Sequence, residues 1–208
     1  MNLDTKISKK IAKYSPQGGL DQTARVLLSL AGVNHPEVKQ HNQRVALLAE
    51  AVAKELGKDE LAAFFAGLLH DTGKLTHPHQ LFDGHNINQA EYEAVKKHAL
   101  DGFTALKDHH LFVAFCAGLH HSVFEHGYGL KIKDFPKEWH MGTVKKILEI
   151  SAIISICDFI DAFTHRKTKL KDGSDKNAPD LKTMLYKKYP EDHKTIDIAL
   201  QKNKELGL

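Results

Sequence analysis

The chain has 208 residues, 42% hydrophobic and 26% charged, a composition that excludes a largely disordered protein. Its net charge of +3 is too mild to mark a binder of nucleic-acid polymers. Its two cysteines, Cys116 and Cys157, exclude a disulfide framework and a cysteine zinc site.

Apolar residues recur at helical spacing along almost the whole chain, and alternating strand patterns are nearly absent. The first helix is expected over Leu3–Lys13, ended by Ser15-Pro16 and Gly18-Gly19, and the second from Asp21 to about Leu30. The third opens at Pro36, carries the stripe Val45, Leu48, Val52 and Leu56, and closes at Gly57. The fourth starts at the Asp59 cap and reaches His70, with Gly73 beyond it. Leu75–Ile87, with Pro78 and Gly84, reads as a loop. Asn88 and Glu91 have capping-box spacing and open a helix to about Leu106. Another helix covers about His110–His121, and Ser122–Met141 reads as a loop. A long helix is expected over Thr143 to about Thr164, then a loop over His165–Pro179 and two short helices.

The economical reading is an all-α bundle of about seven to nine helices. Residues 1–33 are expected to form N-terminal helices, residues 34–170 the main domain, and residues 171–208 a helical extension, as one structural unit. The outer helices pack on the core or on a second subunit, as a homodimer; no signal chooses. The first residues lack a signal-peptide pattern, and the longest apolar tract, Ile147–Ile160, carries Glu149 and Asp158 and is too short to span a bilayer. A cytoplasmic protein without membrane partners is the expectation.

Fifteen histidines direct attention to metal chemistry, because neutral imidazole is the commonest metal ligand. Glu37 and His41 are one helical turn apart. His70-Asp71 end the fourth helix, His98 lies on the next, His120-His121 end the one after, and Asp158 sits inside the apolar long helix. A carboxylate in such a helix is costly unless it is paired or bound to a metal. Imidazole and carboxylate suit iron, manganese or zinc. Seven or eight such groups exceed the needs of one ion and suit two, with Asp71 the natural bridge. Two ions about 3.5–4 Å apart deprotonate a shared water and clamp a phosphoester. The alternative for each residue is ordinary: His98 as a surface or hydrogen-bonded histidine, Glu37 with His41 as a solvated pair, Arg166 and Lys169 as a solvated basic run.

Leu69-His70-Asp71-Thr72-Gly73-Lys74 resembles the His-Asp-x-Gly-Lys signature of the HD superfamily of metal-dependent phosphohydrolases. The surrounding order is similar to its HD-GYP branch, best known for hydrolysing cyclic-di-GMP. His41 with Arg44-Val45-Ala46 matches the first histidine segment. His98 with Gly102 and Leu106, the pair His120-His121, and Asp158-Phe159-Ile160-Asp161-Ala162 match later motifs. The resemblance implies that His41, His70, Asp71, His98, His120, His121 and Asp158 ligate two divalent ions, iron or manganese. It implies Glu37 as a ligand for a third, and Lys74, Arg166 and Lys169 as phosphate contacts. Asp71 and Lys74 are then the catalytic pair, and the substrate is a nucleotide or cyclic dinucleotide. The naming loop departs from the branch: Ser122-Val123-Phe124-Glu125-His126-Gly127-Tyr128-Gly129 keeps only Gly127-Tyr128. Tyr128 is the residue of that loop expected to contact base or sugar. The departures alter the substrate side and leave the ligand set intact. The expected activity is therefore phosphoester hydrolysis. Its alternatives are another nucleotide specificity, or nucleotide binding without turnover.

Overall fold

The computed structural model describes residues 2–124, 127–165 and 180–208. The described residues form ten α-helices and no strand. Helix α1 covers Leu3–Tyr14, α2 Leu20–Asn34, α3 Pro36–Glu55 and α4 Glu60–Leu69. Helices α5 (Gln89–Lys96) and α6 (His98–Leu106) follow two short 3-10 turns at Thr72–Thr76 and His79–Phe82. Helix α7 covers Leu111–Leu119 and α8 Met141–His165, and α9 (Leu181–Lys188) and α10 (His193–Leu206) end the chain.

Side-chain caps start several of these helices. Asn2 accepts from the Thr5 amide, and Asp59 from the Ala62 amide. Asn88 and Glu91 form the reciprocal box, each side chain accepting from the other's backbone N–H at 3.0 and 2.7 Å. The single helix expected over Asn88–Leu106 is two. At Lys97 the amide tightens onto the Ala94 carbonyl, and the His98 ring takes the Val95 carbonyl. The expected loop after Lys74 is wound into the two 3-10 turns.

Helix α3 is the central element, packed against α1, α2, α4, α8 and α10. One core gathers Val45, Leu48, Phe115, Ile147, Ile150 and Ile154 from α3, α7 and α8. A second gathers Ile7, Leu28, Phe64, Phe65 and Leu68 on the opposite side of α3 and α4. Each fully buried large side chain contributes about 1.5–3 kcal/mol, so both halves hold α3 and α4 rigidly. Helix α1 is fixed to α3 by buried Glu50, which accepts from Lys10 and Tyr14, and by Asp4 with Lys39 and Gln43.

One close approach sets the ends of α4 and α6. A Cβ at Gly73 would lie 2.0 Å from the His98 carbonyl oxygen, so only glycine lets the His70-Asp71 turn reach α6. That contact brings two of the predicted metal-binding segments together. No described helix is long and apolar enough to cross a membrane.

Candidate metal centre

The site forms where helix ends converge. His70 and His120 occupy the C-terminal caps of α4 and α7, and His98 starts α6. The last carbonyls of a helix lack intrahelical donors. His70 Nδ1 donates to Gly67 O at 2.8 Å, and His120 Nδ1 to Ala117 O at 2.7 Å. His98 Nδ1 donates to Val95 O at 2.6 Å. A carbonyl only accepts, so each ring carries its proton on Nδ1 and presents a bare Nε2. Helix geometry thus fixes tautomer and aim together.

Those Nε2 atoms surround Asp71. Its Oδ2 lies 3.4 Å from both His41 Nε2 and His70 Nε2. Its Oδ1 lies 3.2 Å from His98 Nε2 and 3.8 Å from His120 Nε2. Asp158 Oδ1 is 3.1 Å from His41 Nε2, and its Oδ2 is 4.0 Å from His121 Nδ1. His121 Nε2 is 3.2 Å from His98 Nε2. Two groups result, His41–His70–Asp71 and His98–His120–His121, each with its ligand atoms within 4.8 Å of one another. Asp71 turns one oxygen to each group.

The residues fit divalent ions. His41 Nε2, His70 Nε2, His120 Nε2 and Asp71 Oδ1 are buried without a hydrogen-bond partner. An unsatisfied buried polar group costs about 1–3 kcal/mol, and here four face one another. An ion in each group would satisfy all of them. The electrostatics of Asp71, Asp158, His120 and His121 agree. Burial disfavours charge on Asp71, but His70 and Lys74 outweigh it and hold its carboxyl well below the usual range. Burial likewise opposes ionisation of Asp158, and His41 overrides it. Burial keeps His120 neutral and lowers His121 to about 3. Burial also opposes a charge on His41, yet Asp158, Asp161 and Asp71 push it up to about 10. Anionic carboxylates and neutral imidazoles bind a cation, so an ion at His41 Nε2 would displace the proton that these carboxylates hold there.

Lys74 is buried, pairs with Asp71 Oδ2 and lies 5.4 Å from the Phe82 ring centroid. Tyr128 borders the second group, its ring 4.5 Å from that of His121 and 5.8 Å from that of His98. Ser122 is buried and donates to Leu130 O at 2.5 Å. It closes its loop rather than facing an ion.

Helix packing therefore gathers His41, His70, Asp71, Lys74, His98, His120, His121, Tyr128 and Asp158. Glu37 is not among them. Its carboxylate turns to His79 Nε2 at 3.1 Å, its side chain is 54% exposed, and it belongs to neither ligand group. Its place one turn before His41 gave it a shared helix, and the 3-10 turn at His79 captured it. Arg166 and Lys169 lie outside the described residues. A supporting pair went unassigned from sequence. Asp161 Oδ2 accepts from His41 Nδ1 at 2.7 Å, and Arg44 grips Asp161 through Nε and Nη2 at 2.6 and 3.0 Å. The available signal was a second carboxylate one turn after Asp158 and an arginine one turn after His41.

Comparison with known proteins bears on the family and the fold. The chain is 32% identical over 90 residues to the 3'3'-cGAMP-specific phosphodiesterase 1 of Vibrio cholerae serotype O1. The match covers 40% of this chain and spans about a fifth (21%) of that protein's length. The HD domain of the L. monocytogenes phosphodiesterase PgpH has a similar fold, with a TM-score of 0.50 at 22% identity, covering 87% of this chain and 85% of that one. The same domain solved with cyclic-di-AMP aligns with a TM-score of 0.50 at 21% identity. The HD domain family model matches residues 38–163, from the first turn of α3 to the last turn of α8 and so across every residue gathered above, and the chain belongs to the HD domain family.

Proposed function

We propose that this chain is a metal-dependent phosphohydrolase that cleaves a phosphoester in a cyclic dinucleotide. The observation that carries the reading is Asp71, one carboxylate turned to two imidazole groups with Lys74 on its Oδ2. His41, His70, Asp71 and Asp158 would hold one ion, and Asp71, His98, His120 and His121 the second. The donor set contains no thiolate, and it suits iron or manganese. Such ions, when bound, activate water and stabilise phosphoryl charge.

The chain's own residues do the rest. Asp71 ties the two groups to one spacing. The Nδ1 hydrogen bonds of His70, His98 and His120 aim their rings without induced movement. The Lys74 ammonium, held against Asp71, supplies positive charge beside the reacting phosphate. Arg166 and Lys169, which lie outside the described residues, are the further phosphate contacts that the sequence suggests. Tyr128 offers an aromatic edge for a base or sugar beside the His98 group.

The substrate class draws support from the V. cholerae relative, whose name specifies 3'3'-cGAMP. The altered loop around Tyr128 is where any preference among cyclic-di-GMP, cGAMP and cyclic-di-AMP would be set. The test is chromatography of products after incubation with these three and with mononucleotides. Linear dinucleotide or mononucleotide products, absent with Asp71→Ala, are expected. Full metal loading with no turnover of any of them would overturn the reading.

A further inference from the structure

The two groups differ in what stands behind their ligands. His70, His98 and His120 donate Nδ1–H to neutral backbone carbonyls. His41 donates to the Asp161 carboxylate at 2.7 Å. A carboxylate behind an imidazole fixes the ring and makes its other nitrogen a stronger donor to metal. Asp161 is itself held in place. The Arg44 guanidinium grips both oxygens, and His165 Nδ1 lies 3.2 Å from Oδ1. Asp161 is 3% exposed, so water screens little of this.

The groups also differ in their oxygen count. In the His41 group, His41 Nε2 has Asp71 Oδ2 at 3.4 Å and the neighbouring Asp158 Oδ1 at 3.1 Å. The His98 group has three imidazoles, with Asp71 Oδ1 at 3.2 Å from His98 Nε2 and the nearest Asp158 oxygen farther off, at 4.0 Å from His121 Nδ1. Manganese(II) favours carboxylate oxygen over a set made mostly of imidazole.

We propose that Asp161 and Arg44 are positioning residues that make the two ion positions unequal, so that manganese fills the His41 position first and the His98 position second. The proposal rests on the two-ion reading given above. It adds an order of filling and assigns the cause to a pair of residues that touch neither ion.

The experiment is a Mn2+ titration of the chelator-stripped full chain, with free Mn2+ followed by its electron paramagnetic resonance signal. Wild type is expected to take up two ions in two resolved steps, at least about tenfold apart in affinity. His98→Ala should remove the weak step and leave the tight one. Asp161→Asn should weaken the tight step by about 10- to 100-fold, the usual effect of losing such a supporting partner. Arg44→Lys keeps the charge but loses the two-pronged grip, and should weaken the same step by less. Glu50→Gln breaks the other buried acid–base cluster on α3, with Lys10 and Tyr14. It should lower the melting temperature and leave both steps unchanged, separating positioning from general stability. Equal affinities in wild type, an unchanged tight step in Asp161→Asn, or loss of the tight step in His98→Ala would each overturn the proposal. Wild type that binds fewer than two ions would instead bring down the two-ion reading itself, and the proposal with it.

Discussion

The molecule holds two histidine-rich regions that solve the same problem differently. In the buried one, His70, His98 and His120 spend Nδ1 on backbone carbonyls, and the bare nitrogens of His70 and His120 have no hydrogen-bond partner. In the outer one, around the 3-10 turn His79–Phe82, histidines pair with side-chain carboxylates. His79 meets Glu37, His77 meets Asp101 at 2.8 Å, and His85 meets Asp83 at 2.8 Å. The outer pairs are complete as they stand and largely reach water. The inner set is complete only with a cation added. A histidine count alone cannot separate these regions. What separates them is the convergence of the unpartnered nitrogens of His41, His70 and His120 on one carboxylate, Asp71.

The sharpest way to break this contrast is to remove Asp71. Asp71→Ala should abolish stoichiometric metal binding and lower turnover by more than about 10³-fold, because the shared ligand and the water-activating ions go together. Elemental analysis and a product assay check both. Lys74→Met should retain the ions and lower kcat by about 10²–10³-fold, the usual cost of losing one charge-stabilising donor. Retained ions with unchanged kcat would show that Lys74 serves only to neutralise Asp71.

The outer region predicts much smaller effects. Glu37→Gln or His79→Ala should leave the metal content at its wild-type value. Each should shift stability by less than about 0.5 kcal/mol, as expected for exposed pairs. Loss of one ion equivalent in Glu37→Gln would place a third ion there and blur the two regions. The finest distinction is one of pH. Burial, with His79 and His77 adding, lowers the pKa of His35, whereas the Asp83 carboxylate raises that of His85. In an NMR titration of the imidazole protons, His35 should titrate below 6.5 and His85 above it. Since unfolded His35 takes a proton that the folded ring refuses, its contribution to stability falls as the pH drops below 6.5. The fully exposed His85 pair should add nothing measurable. A His35 that titrated above 6.5 would reverse that sign.

Much of this was legible in the chain because periodicity and caps are local signals. The Asn88–Glu91 box, the Asp59 cap and the Pro36 start all appear at the expected residues. The break at Lys97 was not legible. It depends on the His98 ring taking a carbonyl, which no propensity encodes. Most of the gathered residues stood out because they sit at helix ends or, as Asp158, are an acid in an apolar run, whereas His41, inside α3, stood out only beside Glu37 and through the family resemblance. Asp161 and Arg44 could not be given a role, because a carboxylate behind a ligand looks like any other until the fold sets it 2.7 Å from the ring. Glu37 goes the other way, its carboxylate lying outside both ligand groups and against His79. Sharing a helix with His41 says nothing about which 3-10 turn will compete for its carboxylate.

The central claim is that the unpartnered nitrogens around Asp71 are a two-ion site. The most direct test is metal content per chain, by elemental analysis of untagged protein reconstituted anaerobically with iron or manganese and freed of excess. Two equivalents, falling to none in Asp71→Ala with the fold intact, are predicted. No stoichiometric metal in folded wild-type protein would contradict the account.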